Sequence, residues 1–354
     1  MHTDEGYETR SSKEAYLLQK EIHNKENASL KSAFHLEFVL KEMEKSQDIA
    51  FSTIYPWVAL WMSNALFSIL GREQYYEELN GRISKLNSIG TDIVRLQRTG
   101  ICGGHGQLPN LGSTYAGLVV LKTLKRGKEI DKEKIIEFIE EMRTDRGFSM
   151  HKDGEEDIRA IYCAVASFSL MFSEEVTENT QYNPLHHPDG RRIFEGLEKK
   201  IYMHQTYEGG FAGAPGEEAH GGYTFCAIGT LKILQKEVPN MELLRRWIGD
   251  RQDPLSMGLS GRSEKNPDSC YNFWVGACFK MTSHAEYSSE GLAMFTLSNC
   301  QGKDGGMKSV PKARPDVYHT AYSLVGLYIL ESTDFNYVLG LPAIFPEKEK
   351  DSEF

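Results

Sequence analysis

Three residues in the last third of the chain have the side chains of a zinc site. Asp268 and Cys270 stand two positions apart, and His319 follows later in the sequence. A carboxylate, a thiolate and an imidazole are ordinary zinc ligands, and three protein ligands leave the fourth position open for a substrate. Their spacing alone also allows a structural explanation, because a cysteine in an apolar helix is usually part of the core.

A second group of polar residues precedes and overlaps this trio. It consists of His220, Arg262, Lys265 and Tyr271. Arg and Lys supply cationic donors that suit phosphate oxygens, while His and Tyr add further hydrogen bonds. Together they predict a diphosphate site, with Tyr271 also beside the metal ligands. The competing interpretation is that Arg262 and Lys265 are solvated surface charges.

Aromatic residues recur along the whole chain at helical spacing. The set includes Trp57, Trp61, Tyr115, Tyr162, Tyr223, Phe225, Phe273, Trp274 and Tyr322. Aromatic stripes of this kind usually belong to a core. If the helices surround a cavity, the same residues would form an apolar lining that suits an isoprenoid chain.

The elements that must position these residues form a repeat. Each unit is a glycine-containing turn, a polar loop and an aromatic-rich helix, and the units begin near Gly103, Asp145, Glu208, Met257 and Asp304. A period of about 50 residues is typical of stacked helical units. The sequence therefore predicts an all-α fold, an α/α barrel or toroid of five or six helical hairpins with its loops at one rim and a central aromatic-lined cavity.

The expected barrel spans residues 46–340. Residues 1–45 are predicted to form an N-terminal helical segment, residues 173–192 a polar surface insertion, and residues 341–354 a disordered acidic tail. The chain of 354 residues is long enough for one large domain of this kind.

Composition excludes some partners. The formal net charge of -10 disfavours binding to nucleic acid or anionic lipid. No run supplies the roughly 20 apolar residues of a membrane span, and the N-terminus lacks the pattern of a signal peptide. Six cysteines without a pairing pattern are typical of reduced thiols. We therefore expect a cytoplasmic protein with no nucleic-acid partner and no stable membrane insertion.

Three strings resemble the signatures of protein prenyltransferase β subunits: EAHGGYTFC at 218–226, GRSEKNPDSCYNFW at 261–274 and DVYHTAY at 316–322. The resemblance extends from about Pro56 to Leu330. It implies a heterodimer with a helical-repeat α subunit, zinc on Asp268, Cys270 and His319, and a prenyl diphosphate on the four residues of the second group. The implied reaction transfers the prenyl group to the cysteine of a C-terminal CaaX motif.

Finer features resemble the farnesyltransferase branch, which implies farnesyl diphosphate as the donor. Trp57 and Tyr322 follow the farnesyl pattern. The implied isoprenoid pocket contains Trp57, Tyr162, Tyr223, Cys226, Trp274 and Tyr322. The implied peptide-binding residues are Trp57, Trp61, Glu155, Arg159 and Tyr318. A geranylgeranyltransferase β subunit is the alternative within the family.

The sequence also departs from the family pattern. Ser309 stands where farnesyltransferases have an Asp associated with magnesium, which leaves the need for Mg²⁺ open. Asn110 replaces a usual His, and Gly112 with Ser113 replaces a common Ala-Pro pair. Two other classes compete with the transferase: a triterpene cyclase, which would need a D-x-D-D acid motif that the sequence lacks, and a non-catalytic helical scaffold.

Overall fold

The structure is a computed structural model that describes residues 29–45, 53–178, 180–283 and 287–345. Within these residues it has fourteen α-helices and one pair of short strands. The helices are α1 Ser32–Glu44, α2 Tyr55–Glu78, α3 Lys85–Arg95, α4 Leu111–Thr123, α5 Lys132–Glu141, α6 Ile158–Phe172, α7 Pro188–Phe194, α8 Glu198–Tyr202, α9 Gly221–Ile233, α10 Met241–Gly249, α11 Tyr271–Trp274, α12 Gly276–Thr282, α13 Ser289–Phe295 and α14 Val317–Glu331. None of the described helices is both long and apolar enough to cross a bilayer.

Two kinds of helix alternate along the chain. Inner helices such as α4 bury almost every residue, whereas outer helices such as α3 bury one stripe, formed by Leu86, Ile89, Gly90 and Ile93. The inner helices α2, α4, α6, α9, α11 with α12, and α14 each pack on the next, and α14 packs on α2. The ring is therefore closed, and the predicted α/α barrel is confirmed.

A repeated hydrogen bond holds the loops against the inner helices. A threonine in the first turn of an inner helix accepts a bond from the backbone N–H of the residue thirteen positions earlier. The three pairs are Ile101 with Thr114, Phe211 with Thr224, and Met307 with Thr320, at 2.8 to 2.9 Å. This bond places each loop at the N-terminal end of its inner helix, so the loops share one rim.

Polar side chains begin the inner helices at this rim. The side chains of Asn110, Asp157, His220 and Asp316 each accept a hydrogen bond from a backbone N–H in the first turn of α4, α6, α9 and α14. Such caps satisfy donors that a helix leaves unpaired. The same residues give the rim its polar character.

The opposite end of the ring is closed by the chain after α14. Strands β1 (Phe335–Asn336) and β2 (Leu341–Pro342) pair antiparallel, and the turn between them enters the ring. The carbonyl groups of Val338, Leu339 and Gly340 accept hydrogen bonds from inner-helix side chains, namely Tyr162, Tyr115 and Asn64. These bonds fix the turn against the inner helices.

Two predicted boundaries need correction. The expected tail from residue 341 was wrong at its start, because Leu341, Ala343 and Ile344 are buried and Ile344 bridges Val176. The expected surface insertion 173–192 is also partly core: Val176 is buried, and α7 begins at Pro188 within it. Apolar residues among the polar ones anchor both segments. Residues 1–28, 46–52 and 346–354 lie outside the described residues, so the predictions for them stay predictions.

Candidate active site at the polar rim

The three candidate zinc ligands converge at the rim. Asp268 precedes α11, Cys270 directly precedes its first residue, and His319 lies in the first turn of α14, which packs on α11. One ligand atom from each residue lies within 4.8 Å of the others. The Oδ1 atom of Asp268 accepts a hydrogen bond from the Cys270 backbone N–H at 2.9 Å and lies 3.4 Å from His319 Nε2.

The protonation of this cluster fits a cation site. Burial raises the pKa of the Cys270 thiol well above its usual value, and Asp268 raises it further. Burial by itself would lower the pKa of His319, but hydrogen bonds with Asp268 and Asp316 outweigh it and raise the pKa to about 9. At neutral pH Cys270 and His319 therefore both carry their protons beside Asp268. A divalent cation would replace those protons, and the nitrogen, sulfur and oxygen donors suit zinc.

Asp316 orients the candidate ligand His319. Its Oδ1 atom caps α14 by accepting from the His319 backbone N–H at 2.8 Å, while its Oδ2 atom lies 2.6 Å from His319 Nδ1. A carboxylate behind a ligating imidazole fixes the ring and its tautomer. The role of Asp316 was not predicted from the sequence, although this residue begins the DVYHTAY string. The sequence contains a signal for this role: an Asp at a helix start, three residues before a His, can both cap the helix and bind the His ring.

His220 and Tyr271, two of the four predicted diphosphate residues, are in direct contact. His220 Nδ1 accepts a hydrogen bond from the Gly222 backbone N–H at 3.0 Å, so the neutral ring carries its proton on Nε2. Nε2 lies 3.0 Å from the Tyr271 hydroxyl oxygen and donates to it. The Tyr271 hydroxyl hydrogen is thereby left to donate elsewhere.

Electrostatics keep His220 neutral. Burial lowers its pKa to about 4, and the charge of Arg262 contributes. The contact with Tyr271 depends on a glycine, because a Cβ at Gly261 would lie 2.1 Å from the Tyr271 hydroxyl oxygen. Any side chain there would push the tyrosine out of place.

Arg262 and Lys265 lie on the loop that begins with Gly261, and both are exposed. Arg262 forms an ion pair with Glu218, with 3.1 Å between Nη1 and Oε2. Glu218 lies two residues before His220, so the pair joins the loops of successive repeats. Lys265 is on the same loop, but no hydrogen bond or ion pair in the described part of the chain joins it to the other three.

A belt of aromatic side chains runs around the inside of the ring, with a member from every inner helix. Contacts run from Trp57 to Tyr115, Tyr162, Phe225, Phe273 and Tyr322, with successive ring centroids 5.2 to 5.7 Å apart. The Tyr322 hydroxyl then accepts from Trp61 Nε1 at 3.3 Å, and Trp61 contacts Trp57. The belt forms a packed floor over the turn at residues 338–340.

The predicted isoprenoid residues therefore divide into two groups. Tyr162, Cys226 and Tyr322 are buried in or beside the floor. Trp57, Tyr223 and Trp274 are half-buried, as residues that line an opening are. Trp57 lies in the first turn of α2 and contacts Tyr115, so it stands at the edge of the floor that covers residues 338–340.

The predicted peptide-binding residues lie on two sides of the opening. Trp57, Trp61 and Tyr318 belong to the neighbouring helices α2 and α14, and Trp61 packs edge-on against Tyr318 with centroids 5.3 Å apart. Glu155 and Arg159 stand across the ring at the start of α6.

Arg159 already has a partner. Its guanidinium group binds both carboxylate oxygens of Asp157 and lies 4.0 Å from Glu155. This pair with Asp157 raises the pKa of Arg159. A peptide carboxylate would therefore share the guanidinium with Asp157.

Two departures from the family pattern lie at the rim. The backbone carbonyl of Ser309 accepts a hydrogen bond from the Ser269 N–H at 3.0 Å, next to Cys270. Ser309 therefore lies beside the candidate metal ligands. The Asn110 side chain caps α4 by accepting from Ser113 N–H at 2.7 Å, so it has a structural role at the rim.

Comparisons with known proteins agree with this architecture. A family model described as the prenyltransferase alpha-alpha toroid domain matches residues 30–346. The protein farnesyltransferase subunit beta of Schizosaccharomyces pombe is 32% identical over 323 residues, covering 86% of this chain and 79% of that protein. The protein of the same name from Pyricularia oryzae is 34% identical over 313 residues, covering 79% of this chain and 58% of its own length.

Solved structures extend the likeness in fold. The protein geranylgeranyltransferase-I of Candida albicans, in complex with GGPP, superposes with a TM-score of 0.70 at 19% identity, covering 89% of this chain and 96% of that one. The match of the family model over most of the chain, together with the similarity to the S. pombe protein, decides the family. This chain belongs to the protein farnesyltransferase β subunits, which have the prenyltransferase α-α toroid fold.

Proposed function

We propose that this chain is the catalytic β subunit of a zinc-dependent protein farnesyltransferase, which joins a farnesyl group to the cysteine of a C-terminal CaaX motif. The observation that carries the proposal is the convergence of Asp268, Cys270 and His319 within 4.8 Å, on the repeats that also bring Tyr271 to His220. A metal trio beside a phosphate-binding pair is the arrangement that thiol prenylation needs. The names of the relatives support the same activity.

The reaction forms a bond between the substrate sulfur and C1 of farnesyl diphosphate and breaks the C1–oxygen bond, whose electron pair leaves with diphosphate. When bound, zinc would supply a positive charge and an open coordination position that favour the thiolate form of the substrate cysteine at neutral pH. Asp316 holds the His319 ring in place for this site. The thiol proton would pass to water, so no protein base is needed to accept it.

The diphosphate would be held by His220, Arg262, Lys265 and Tyr271. The Tyr271 hydroxyl donates to a phosphate oxygen, because its own oxygen is already supplied with a hydrogen bond by neutral His220. Arg262 and Lys265 offset the charge that grows on the leaving group. The Tyr271 hydroxyl, fixed by His220, is a preorganised donor, and such donors act most strongly on the charge that develops in the transition state.

The half-buried aromatic residues would hold the apolar parts of both substrates. Trp57, Tyr223 and Trp274 offer contacts to the isoprenoid chain, above the floor that contains Tyr162, Cys226 and Tyr322. Trp61 and Tyr318 stand beside it for the CaaX side chains, with Glu155 and Arg159 across the opening for the end of the peptide. An enclosed apolar wall also keeps water away from the reactive allylic carbon.

We further propose that the chain acts only as a heterodimer with a prenyltransferase α subunit, as the designation of its relatives as β subunits supports. None of the six cysteines forms a disulfide, which supports a location in the reducing cytoplasm. Zinc is the proposed cofactor. Magnesium is expected to have a minor role, because Ser309 has no carboxylate to bind it.

The test is co-expression with candidate α subunits, followed by transfer assays with farnesyl diphosphate and a CaaX peptide. Zinc content is measured on the same preparation. Cys270→Ala should abolish transfer and zinc binding while farnesyl diphosphate still binds, because the two sites use different residues. Cys300→Ala is a control, since Cys300 is also buried but lies outside the trio. Full activity of Cys270→Ala would refute the proposed zinc site.

The alternative donor is geranylgeranyl diphosphate. The GGPP complex of the Candida albicans enzyme, which shares the fold of this chain, keeps this alternative open. Transfer assays with both donors and the same peptide decide between them.

A further inference from the structure

The ion pair between Glu218 and Arg262 lies inside the proposed diphosphate site. Glu218 is two residues before His220, and Arg262 directly follows Gly261, whose backbone lies against Tyr271. The pair is 3.1 Å long, and its two side chains are 49% and 44% exposed. The Glu218 carboxylate therefore binds the guanidinium group that a diphosphate oxygen would otherwise contact.

This carboxylate is a weak competitor. An exposed pair between long side chains contributes little, because solvent screens it and two flexible side chains must be ordered. A diphosphate carries more charge and presents two oxygens to the planar guanidinium group. It would therefore displace Glu218, yet part of its binding energy would be lost in doing so.

A buried arginine, Arg251, lies beneath the loop that carries Arg262, because its backbone carbonyl accepts hydrogen bonds from the N–H and the hydroxyl group of Ser260. Arg251 is 5% exposed, and its Nη1 atom has no hydrogen-bond partner among the described residues. Its Nε atom donates to the Trp247 carbonyl at 3.1 Å, and its guanidinium group lies 4.6 Å from the centroid of the Trp247 ring. Burial lowers the pKa of Arg251, and nearby carboxylates oppose this effect: Asp250, Glu208, Glu218 and Glu264.

The repeat shows how unusual this charge is. In each unit the loop begins with a residue that forms an isolated β-bridge, and the residue directly before it is buried. Arg251 has this position in its unit, and the other four units have Leu96, Met142, His204 and Cys300 there. Only this unit places an arginine at that position, under the loop that carries Arg262. A buried cation with an unpaired donor is costly to keep unless a nearby anion uses it.

We propose that Glu218 is a built-in competitor that holds Arg262 whenever diphosphate is absent, and that Arg251 stabilises Glu218 once Arg262 has turned to the diphosphate. The inference rests on the proposed function, because it assumes that this site binds diphosphate. Its consequence is easier release of the product, since Glu218 recaptures Arg262 as the diphosphate leaves. Both residues are positioning residues that act through Arg262.

Calorimetric titration of the heterodimer with inorganic diphosphate, and separately with farnesyl diphosphate in the absence of peptide, tests the competition. Glu218→Gln should tighten both ligands about two- to fivefold, the range expected from an exposed pair. It should also strengthen product inhibition by diphosphate. Glu264→Gln is the matched control on the loop of Arg262, and it should change affinity less. Unchanged or weaker binding by Glu218→Gln overturns the proposal.

Double variants separate competition from general charge effects. In an Arg262→Ala background, Glu218→Gln should no longer tighten binding, and equal tightening there would overturn the proposal. Arg251→Met introduces the residue that the second unit has at the same position. It should weaken diphosphate binding in the natural background but not beside Glu218→Gln, and equal weakening in both would remove Arg251 from the mechanism.

The proposed function has its own outcome in the same experiment. If the natural heterodimer binds neither ligand, the proposed function fails. If it binds both and transfers farnesyl while the Glu218 exchange has no effect, only this inference fails.

Discussion

Asp316 holds His319 with both oxygens of one carboxylate: Oδ1 accepts from the backbone N–H at 2.8 Å, and Oδ2 lies 2.6 Å from Nδ1 of the ring. We predict that Asp316→Asn lowers zinc affinity about 10- to 100-fold, because the ligand loses the carboxylate that orients it and raises its basicity. The asparagine can still cap α14, so the melting temperature should change little. Zinc affinity is measured by competition with a chelator.

Asp131→Asn is the control for that experiment. Asp131 caps the outer helix α5 by accepting from Lys134 N–H, away from the rim. It should leave zinc affinity unchanged. Equal zinc affinity in Asp316→Asn and the natural chain would mean that Asp316 is only a helix cap.

His220 should stay neutral across the physiological range. Burial lowers its pKa to about 4 from an unfolded value near 6.5, so the unfolded chain binds more protons between these values. The contribution of His220 to stability is therefore complete above about pH 6.5 and is lost as the pH falls towards 4. Inorganic diphosphate should raise its pKa by adding negative charge nearby.

NMR titration of the histidine rings, with and without diphosphate, measures both effects. His220→Asn identifies the signal, and asparagine can still accept the bond from the Gly222 N–H. A midpoint near 6.5 in the free protein would contradict a buried, neutral ring.

We predict that Trp57 limits the length of the isoprenoid chain that the pocket accepts. Adding methylenes to a packed site typically costs about 1 to 3 kcal/mol, which corresponds to roughly tenfold to a few hundredfold in discrimination. Trp57→Thr should therefore raise kcat/KM for geranylgeranyl diphosphate and lower it for farnesyl diphosphate. Both donors are compared with one CaaX peptide.

Substitution of Gly112 should change the donor preference in the opposite direction. A Cβ at this position would lie 3.3 Å from Trp57 Nε1, so Gly112→Ala should press on the indole and sharpen the preference for farnesyl. If the natural enzyme already prefers geranylgeranyl diphosphate, or if neither variant changes the ratio of kcat/KM for the two donors, Trp57 is an ordinary core residue. The geranylgeranyltransferase alternative is then favoured.

The serine at position 309 predicts that the transfer rate depends only weakly on magnesium. It lies beside the metal trio through its bond with Ser269, but it has no carboxylate to bind Mg²⁺. Lys308 and Lys312 in the same segment are candidates to meet the diphosphate charge instead. Ser309→Asp should make the transfer rate rise with millimolar Mg²⁺, whereas Ser309→Asn, of equal size but without charge, should not. Strong magnesium stimulation of the natural enzyme would count against this assignment.

The sequence by itself determined the repeat and the residues at its turns. Helical periodicity and polar residues at helix starts are local signals, so the inner helices, their common rim and the candidate trio could be predicted before any coordinates. Asp268, Cys270 and His319 converge because equivalent positions of adjacent repeats must come together when a ring closes. The resemblance to a family added the assignment of each residue to a ligand.

Only the tertiary structure decided the contacts between elements that no local pattern connects. Leu339 closes the far end of the ring by accepting a bond from Tyr115, across a separation of 224 residues. Glu218 and Arg262 pair because two loops approach at the rim, and Arg251 is buried although its sequence resembles an exposed charge. Such contacts depend on how the ring closes and on which side chains then meet, and neither is encoded in the periodicity of one helix.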